Sequence, residues 1–207
     1  QDPSHRQFVR LDFEPDNRFA RFDYMNVLYR RQKYEQALVE AERLLQLEPD
    51  SAQYLTGYAN QCVAVGRFDE ALKIYDEVLA RFPETSPLHL LRGHALKTVG
   101  RTDEAIDAYR QTYRTNQNCG DAYWSLANLK TFRFADSEVD AMQRKESEAD
   151  LEVDDRVHFC FALGKHFEDQ KDYATSFDYY HRGNELRRQQ LGFSADLLSS
   201  RLALQRQ

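Results

Sequence analysis

A 34-residue period runs through this chain and limits its possible folds more than any other feature. Pro49 and Pro83 stand one period apart, as do Gly66 and Gly100, while Ala37, Ala71 and Ala105 keep the same step. The aromatics agree, with Tyr34 matched to Phe68 and Tyr75 to Tyr109. Chance does not bring four kinds of residue into one register, and a period of this length signals stacked supersecondary units.

Each unit has the same grammar. An apolar-periodic segment such as Ala52 to Val65 ends at a glycine, the residue that accepts the left-handed conformation closing a helix. A short turn, Arg67-Phe68-Asp69-Glu70 or Arg101-Thr102-Asp103-Glu104, starts a second segment. Ala71, Leu72, Tyr75, Val78 and Leu79 then share one helical face, and the segment runs into Pro83, which cannot continue a helix. Asp69 is expected to cap this second helix. Neither helix buries enough apolar surface alone, so units must stack on one another.

The register sets the boundaries. A lead-in over 1–17 precedes units at 18–51, 52–85 and 86–119, a degenerate unit at 120–156, and a last unit at 157–190. Ala127 and Gly164 are 37 residues apart, and the extra length falls in the acidic stretch Glu146 to Asp155. A bend is expected in the fourth unit, whose second helix near Ser137 to Ser147 lacks the small alanine. Gly93, Ala127 and Gly164 at the eighth position, with the recurrent alanines at the twentieth, let paired helices approach closely. The segment Phe193 to Gln207 reads as a further amphipathic helix within 191–207, with Ser194 at its start and Leu197, Leu198, Leu202 and Leu204 on one face. It would either seal the last repeat or lead into a further domain.

The pattern over residues 18–190 resembles the tetratricopeptide repeat (TPR), with its small-residue, glycine, aromatic and proline positions matched in two or three units. The resemblance implies an all-α fold, a right-handed α-α superhelix of about five helix–turn–helix repeats with the fourth degenerate, which binds partners in a concave groove. Three stretches carry a narrower likeness: Tyr123-Trp124-Ser125-Leu126-Ala127-Asn128-Leu129-Lys130-Thr131-Phe132, Phe161-Ala162-Leu163-Gly164-Lys165 and Tyr179-Tyr180-His181-Arg182-Gly183-Asn184. They are similar to the repeat segment that precedes the catalytic domain in bacterial TPR–sulfotransferase fusion proteins. In that family a PRSGST-type nucleotide-phosphate loop follows, and none occurs before Gln207. This likeness implies a non-catalytic docking or regulatory part of a bacterial sulfotransferase.

The chain itself offers little chemistry. Its eight glycines are dispersed, with neither GxGxxG nor GxxxxGK[ST] present, and no HExxH occurs. His89 and His94 are five apart and do not share a helical face; His158, Cys160 and His166 read as packing or surface positions. No catalytic residue, metal site or cofactor is therefore expected. A formal net charge of −6 argues against a general nucleic-acid binder, and no apolar run is long enough to span a membrane. Cys62, Cys119 and Cys160 are odd in number and far apart, which suits free thiols in a reducing, cytoplasmic setting.

The groove carries the functional expectation. In the TPR arrangement the second, fifth, ninth and twelfth positions of each first helix face the concave surface. The ninth positions are Asn26, Asn60, His94 and Asn128, with Lys165 past the insertion. Asparagine amides both donate and accept, so such a column can pair with the backbone of an extended peptide; His94 adds a pH-sensitive member, since protonation removes its acceptor. Phe22, Tyr29, Thr56, Val63, Leu90, Lys97, Trp124 and Thr131 should line the same face. The carboxylate clamp of chaperone-tail-binding TPR proteins is not matched: its five positions hold Phe22, Asn26, Gly57, Pro87 and Leu91, and only Asn26 agrees. The expected partner is a protein or peptide, with self-association through the solenoid ends as a further possibility. Truncating Asn60 and Asn128 should weaken binding and leave folding intact.

Overall fold

Residues 17–191 are described in the computed structural model of the protein, and they contain ten helices and no strand. The expectations for 1–16 and for the segment Phe193–Gln207 lie outside them. The helices follow in pairs: α1 (Arg18–Arg30) and α2 (Tyr34–Leu47), α3 (Ala52–Ala64) and α4 (Phe68–Arg81), α5 (Ser86–Thr98) and α6 (Thr102–Thr115). Then come α7 (Gly120–Ala127) and α8 (Asp136–Glu146), and α9 (Val153–Asp169) and α10 (Tyr173–Gln190). Two compact units divide between Gln111 and Thr112, within α6.

Local chemistry explains where the helices start and stop. Asn17 Oδ1 accepts the Ala20 amide (2.9 Å), Ser51 Oγ that of Tyr54 (3.5 Å) and Asp172 Oδ1 that of Thr175 (3.2 Å), each satisfying a first-turn N–H. At the end of α3, Gly66 has φ +83°; its amide returns to the Val63 carbonyl (3.1 Å) and that of Arg67 to Cys62 (2.8 Å). This is the Schellman closure, and it recurs at Gly100. It recurs again at Gln32 (φ 59°) and Lys171 (φ 65°), where no glycine announces it. The expected role of Asp69 is corrected: Arg67 holds the cap position of α4 without a side-chain bond, and Asp69 lies inside the first turn. There its charge favours the helix N-terminus electrostatically.

The small positions are tight contacts. Ala37, Ala71 and Ala105 are wholly buried, and Ser176, their counterpart in α10, donates to the Gly164 carbonyl at 2.8 Å. A Cβ on Gly93 would meet the Tyr109 ring at 2.6 Å, and one on Gly164 the Tyr180 ring at 2.9 Å. In the first unit Met25, Leu28, Ala37, Ala41, Leu44 and Tyr54 form one core cluster. The Arg21–Glu40 pair is buried within the same unit. In the second, Tyr123, Met142, Phe159 and Leu163 anchor another cluster.

The irregularity of the fourth pair lies in its first helix as well as its second. α7 has 8 residues where α3 and α5 have 13, and residues 128–135 are not helical. Leu129 and Phe132 are nevertheless buried, and Phe132 and Phe134 meet edge to face at 5.0 Å. Aromatic packing replaces the missing turns. The extra length expected between Glu146 and Asp155 is partly helical, because α9 starts at Val153 and runs 17 residues. Its first turn closes on α7, where the Gly120 amide donates to Asp155 Oδ1 at 2.9 Å.

Candidate functional site

The first helices α1, α3 and α5 carry the ninth-position residues Asn26, Asn60 and His94 in the first unit, and these three line one cleft of about 210 Å³. Tyr29, Val63, Tyr75 and Leu91 complete it together with Gln61. A larger cleft of about 420 Å³ shares Asn26, Asn60, Gln61 and Leu91 with it and adds Phe22, Met25, Thr56, Gly57, Pro87 and Leu88. Neither lining includes an Asp, Glu, Lys or Arg. The site is thus an apolar trough edged by neutral amides and one imidazole.

Each predicted residue can be located. Phe22, Asn26, Thr56 and Asn60 line the larger cleft, and Asn26, Tyr29, Asn60, Val63 and His94 the smaller. Lys97 is exposed and Leu90 half-buried, and neither lines these clefts. The remaining candidates belong to the second unit. Trp124 packs on Phe161, ring centres 5.5 Å apart, against that unit's core. Asn128 sits at the C-cap of α7, its Nδ2 donating to the Trp124 carbonyl at 2.9 Å, and Thr131 lies in the non-helical stretch. Lys165 is paired with Asp169 at 2.5 Å. A polar cleft of about 430 Å³ in this unit, between Tyr113, Arg114, Ser137 and Arg144, contains none of the predicted residues.

The ninth positions are also held from behind. Tyr75, 1% exposed, donates its hydroxyl to Asn60 Oδ1 at 2.7 Å, and one period later the Tyr109 hydroxyl lies 3.1 Å from His94 Nδ1. Burial raises the Tyr75 phenol well above its ordinary pKa, so it stays a donor. Asn60 therefore presents its amide N–H groups in a fixed orientation. Asn60→Ala is therefore expected to cost some stability, where the sequence suggested none, because it leaves the Tyr75 hydroxyl without its acceptor.

Sequence reasoning missed Gln61, Met25, Pro87, Leu88 and Leu91 as cleft residues. Pro87 and Leu91 occupy positions weighed for a carboxylate ligand; the positions were pertinent and their chemistry was apolar. Gln61 had a signal of its own, since its register mates Val27 and Ala95 are apolar. Among the described residues no group of three His, Cys, Asp or Glu gathers as a metal site, and no helix is long and apolar enough to cross a membrane. Cys62, Cys119 and Cys160 are unpaired, the first and last of them buried.

One family model described as tetratricopeptide repeat matches residues 25–86 and another residues 63–129, jointly 105 of the 207 residues (129 − 25 + 1). No curated protein matches the sequence. Among solved structures, BtubC from P. vanneervenii aligns with TM-score 0.65 at 12% identity, covering 92% of this chain and 89% of that one. MamA from Desulfovibrio magneticus RS-1 aligns at 0.60 with 18% identity, covering 84% and 97%. YrrB, described as a TPR protein with an unusual peptide-binding site, aligns at 0.56 with 15% identity, covering 87% and 91%. Identities this low speak to fold alone, and the fold is the all-α solenoid class.

Proposed function

The chain belongs to the tetratricopeptide-repeat family, and from that premise we propose that it is a non-catalytic protein-interaction scaffold whose first unit holds an extended peptide along the trough of Asn26, Asn60 and His94. The observation that carries this reading is the gathering of three ninth-position side chains around one apolar cleft, two of them held by buried tyrosines. Extended peptide backbone supplies donors and acceptors at regular intervals, and amides meet both needs. YrrB is described as a TPR protein with an unusual peptide-binding site, which accords with the reading. Buried, unpaired thiols at Cys62 and Cys160 suit a cytoplasmic protein.

Asn128, Lys165, Trp124 and Lys97 take a lesser part in this proposal than their repeat positions suggest, because internal partners or positions away from the clefts already account for them. The sulfotransferase-associated reading rests on its three short stretches, and no structural observation favours it.

The test uses a peptide selected from a displayed random library against the intact chain. Asn60→Asp keeps an acceptor for Tyr75 and removes the outward N–H donors. Combined with Asn26→Ala it should weaken binding by at least roughly 1–3 kcal/mol, two hydrogen bonds at their usual net worth, to which the bound peptide adds the desolvation of the new carboxylate. Circular dichroism should be unchanged. Equal affinity for wild type and the double variant would move recognition to another surface.

A further inference from the structure

Gln61 is 3% exposed, and its Oε1 is buried without a hydrogen-bond partner among the described residues. The same side chain lines both clefts of the first unit. Packing does not require an amide there, since Val27 and Ala95 hold the equivalent places one period to either side. A buried carbonyl oxygen with no donor is destabilising, and an apolar residue at this position would remove that cost. The atom is therefore an acceptor left without a donor, on a side chain that lines the apolar trough.

We propose that Gln61 is a specificity-determining residue: its Oε1 accepts a main-chain N–H from an extended peptide segment that is uncharged and seats an apolar side chain in the larger cleft. This rests on the peptide-scaffold reading and narrows it. The charge preference follows from the lining, where Phe22, Met25, Leu88 and Leu91 stand beside neutral polar groups and no ionised side chain. A carboxylate or ammonium seated there would lose its hydration with no opposite charge to replace it. An apolar side chain gains by leaving water, and the roughly 420 Å³ of space admits one. The two clefts share Asn26, Asn60, Gln61 and Leu91, so the trough continues past the anchor as a chain-like ligand requires.

The experiment selects short peptides from a displayed random library against the full chain, then measures affinities by calorimetry. Enriched sequences should share one Leu, Met or Phe with no charged residue beside it. Gln61→Met should weaken these peptides roughly two- to tenfold, the loss of one hydrogen bond. Its melting midpoint should equal or exceed that of the wild type. N-methylation, scanned along the peptide, should find one bond whose methylation weakens wild-type binding by the same factor and adds nothing to Gln61→Met. That scan on the wild-type protein stands whatever the variant does to folding. Peptides that bind with charged anchors, or a Gln61→Met effect independent of every N-methyl position, would overturn this assignment and leave the scaffold reading in place. Failure to enrich any peptide would overturn both.

Discussion

Gly57 and Gly93 both lie buried on first helices of the first unit, yet a methyl group would meet opposite receptions at the two. At Gly93 the added Cβ would stand 2.6 and 2.8 Å from two Tyr109 ring carbons, and that ring is fully buried and cannot yield. At Gly57 it would meet Met25 Cε at 3.4 Å and the Phe22 ring at 3.5 Å, ordinary contacts with a flexible thioether foremost. Gly93→Ala should therefore lose ~1–3 kcal/mol by overpacking. Gly57→Ala should gain ~0.5–1 kcal/mol through helix propensity and a less flexible unfolded chain. Urea midpoints for the two variants decide the matter, and movement in the same direction would break the account. Gly93 could be read as a contact glycine because it stands in repeat register with Gly164 and Ala127. Gly57 has no such mates, so its looseness is visible only in the folded structure. The pairing of Tyr75 with Asn60, and of Tyr109 with His94, lay in the same register. Period alone says that residues recur, whereas which atoms meet depends on how the second helix leans over the first.

Among the described residues four helix closures place a residue in the left-handed region, and two of them use glycine. Gln32 and Lys171 are exposed, and they accept the conformation because the two returning amide bonds hold it there. A side chain at such a φ costs ~1–2 kcal/mol, part of which glycine returns as unfolded-state entropy. Gln32→Gly and Lys171→Gly should thus each stabilise the protein by about 0.5–1 kcal/mol, read from denaturation midpoints at unchanged slope. A loss of stability at either position would mean that its side chain makes a contact worth more than the strain. Gly66 and Gly100 announced their turns by residue type. Gln32 could still have been found by subtracting one period, and Lys171 only once the three extra residues were counted. The early end of α7 was beyond such reasoning, because residues 128–135 contain neither proline nor glycine. Burial of Leu129 and Phe132 outweighs the remaining helical turns, a tertiary effect with no local mark.

Across the molecule the charge inventory sets how the fold answers to acid. His166 on α9 is buried beside the Phe167 and Phe134 rings, and burial lowers its pKa below the ordinary histidine value although Asp169 and Asp136 pull it upward. A histidine whose folded pKa is depressed binds a proton more readily when unfolded. Its contribution is then present above the unfolded pKa of about 6.5 and is lost as pH falls below that. A second stage follows in the carboxylate range. Arg101 holds Glu104 below its ordinary pKa, Gln190 and Arg187 do so for Asp154, and Thr175 for Asp172. Each is depressed in the fold, so each loses its contribution as pH drops through the region below about 4. Asp155 opposes this stage, because desolvation raises its pKa and protonation relieves it. The chain's one tryptophan, Trp124, packs on Phe161 in the second unit, to which His166 also belongs, so its fluorescence follows that unit directly. The urea midpoint seen by Trp124 should fall between pH 7 and pH 5, before the carboxylates titrate, and His166→Gln should flatten that limb while leaving the acid stage below about 4 in place. A wild-type midpoint that stays level down to pH 5, or a variant that follows the wild type, would show that His166 pays no desolvation cost and that carboxylates alone govern the response to acid.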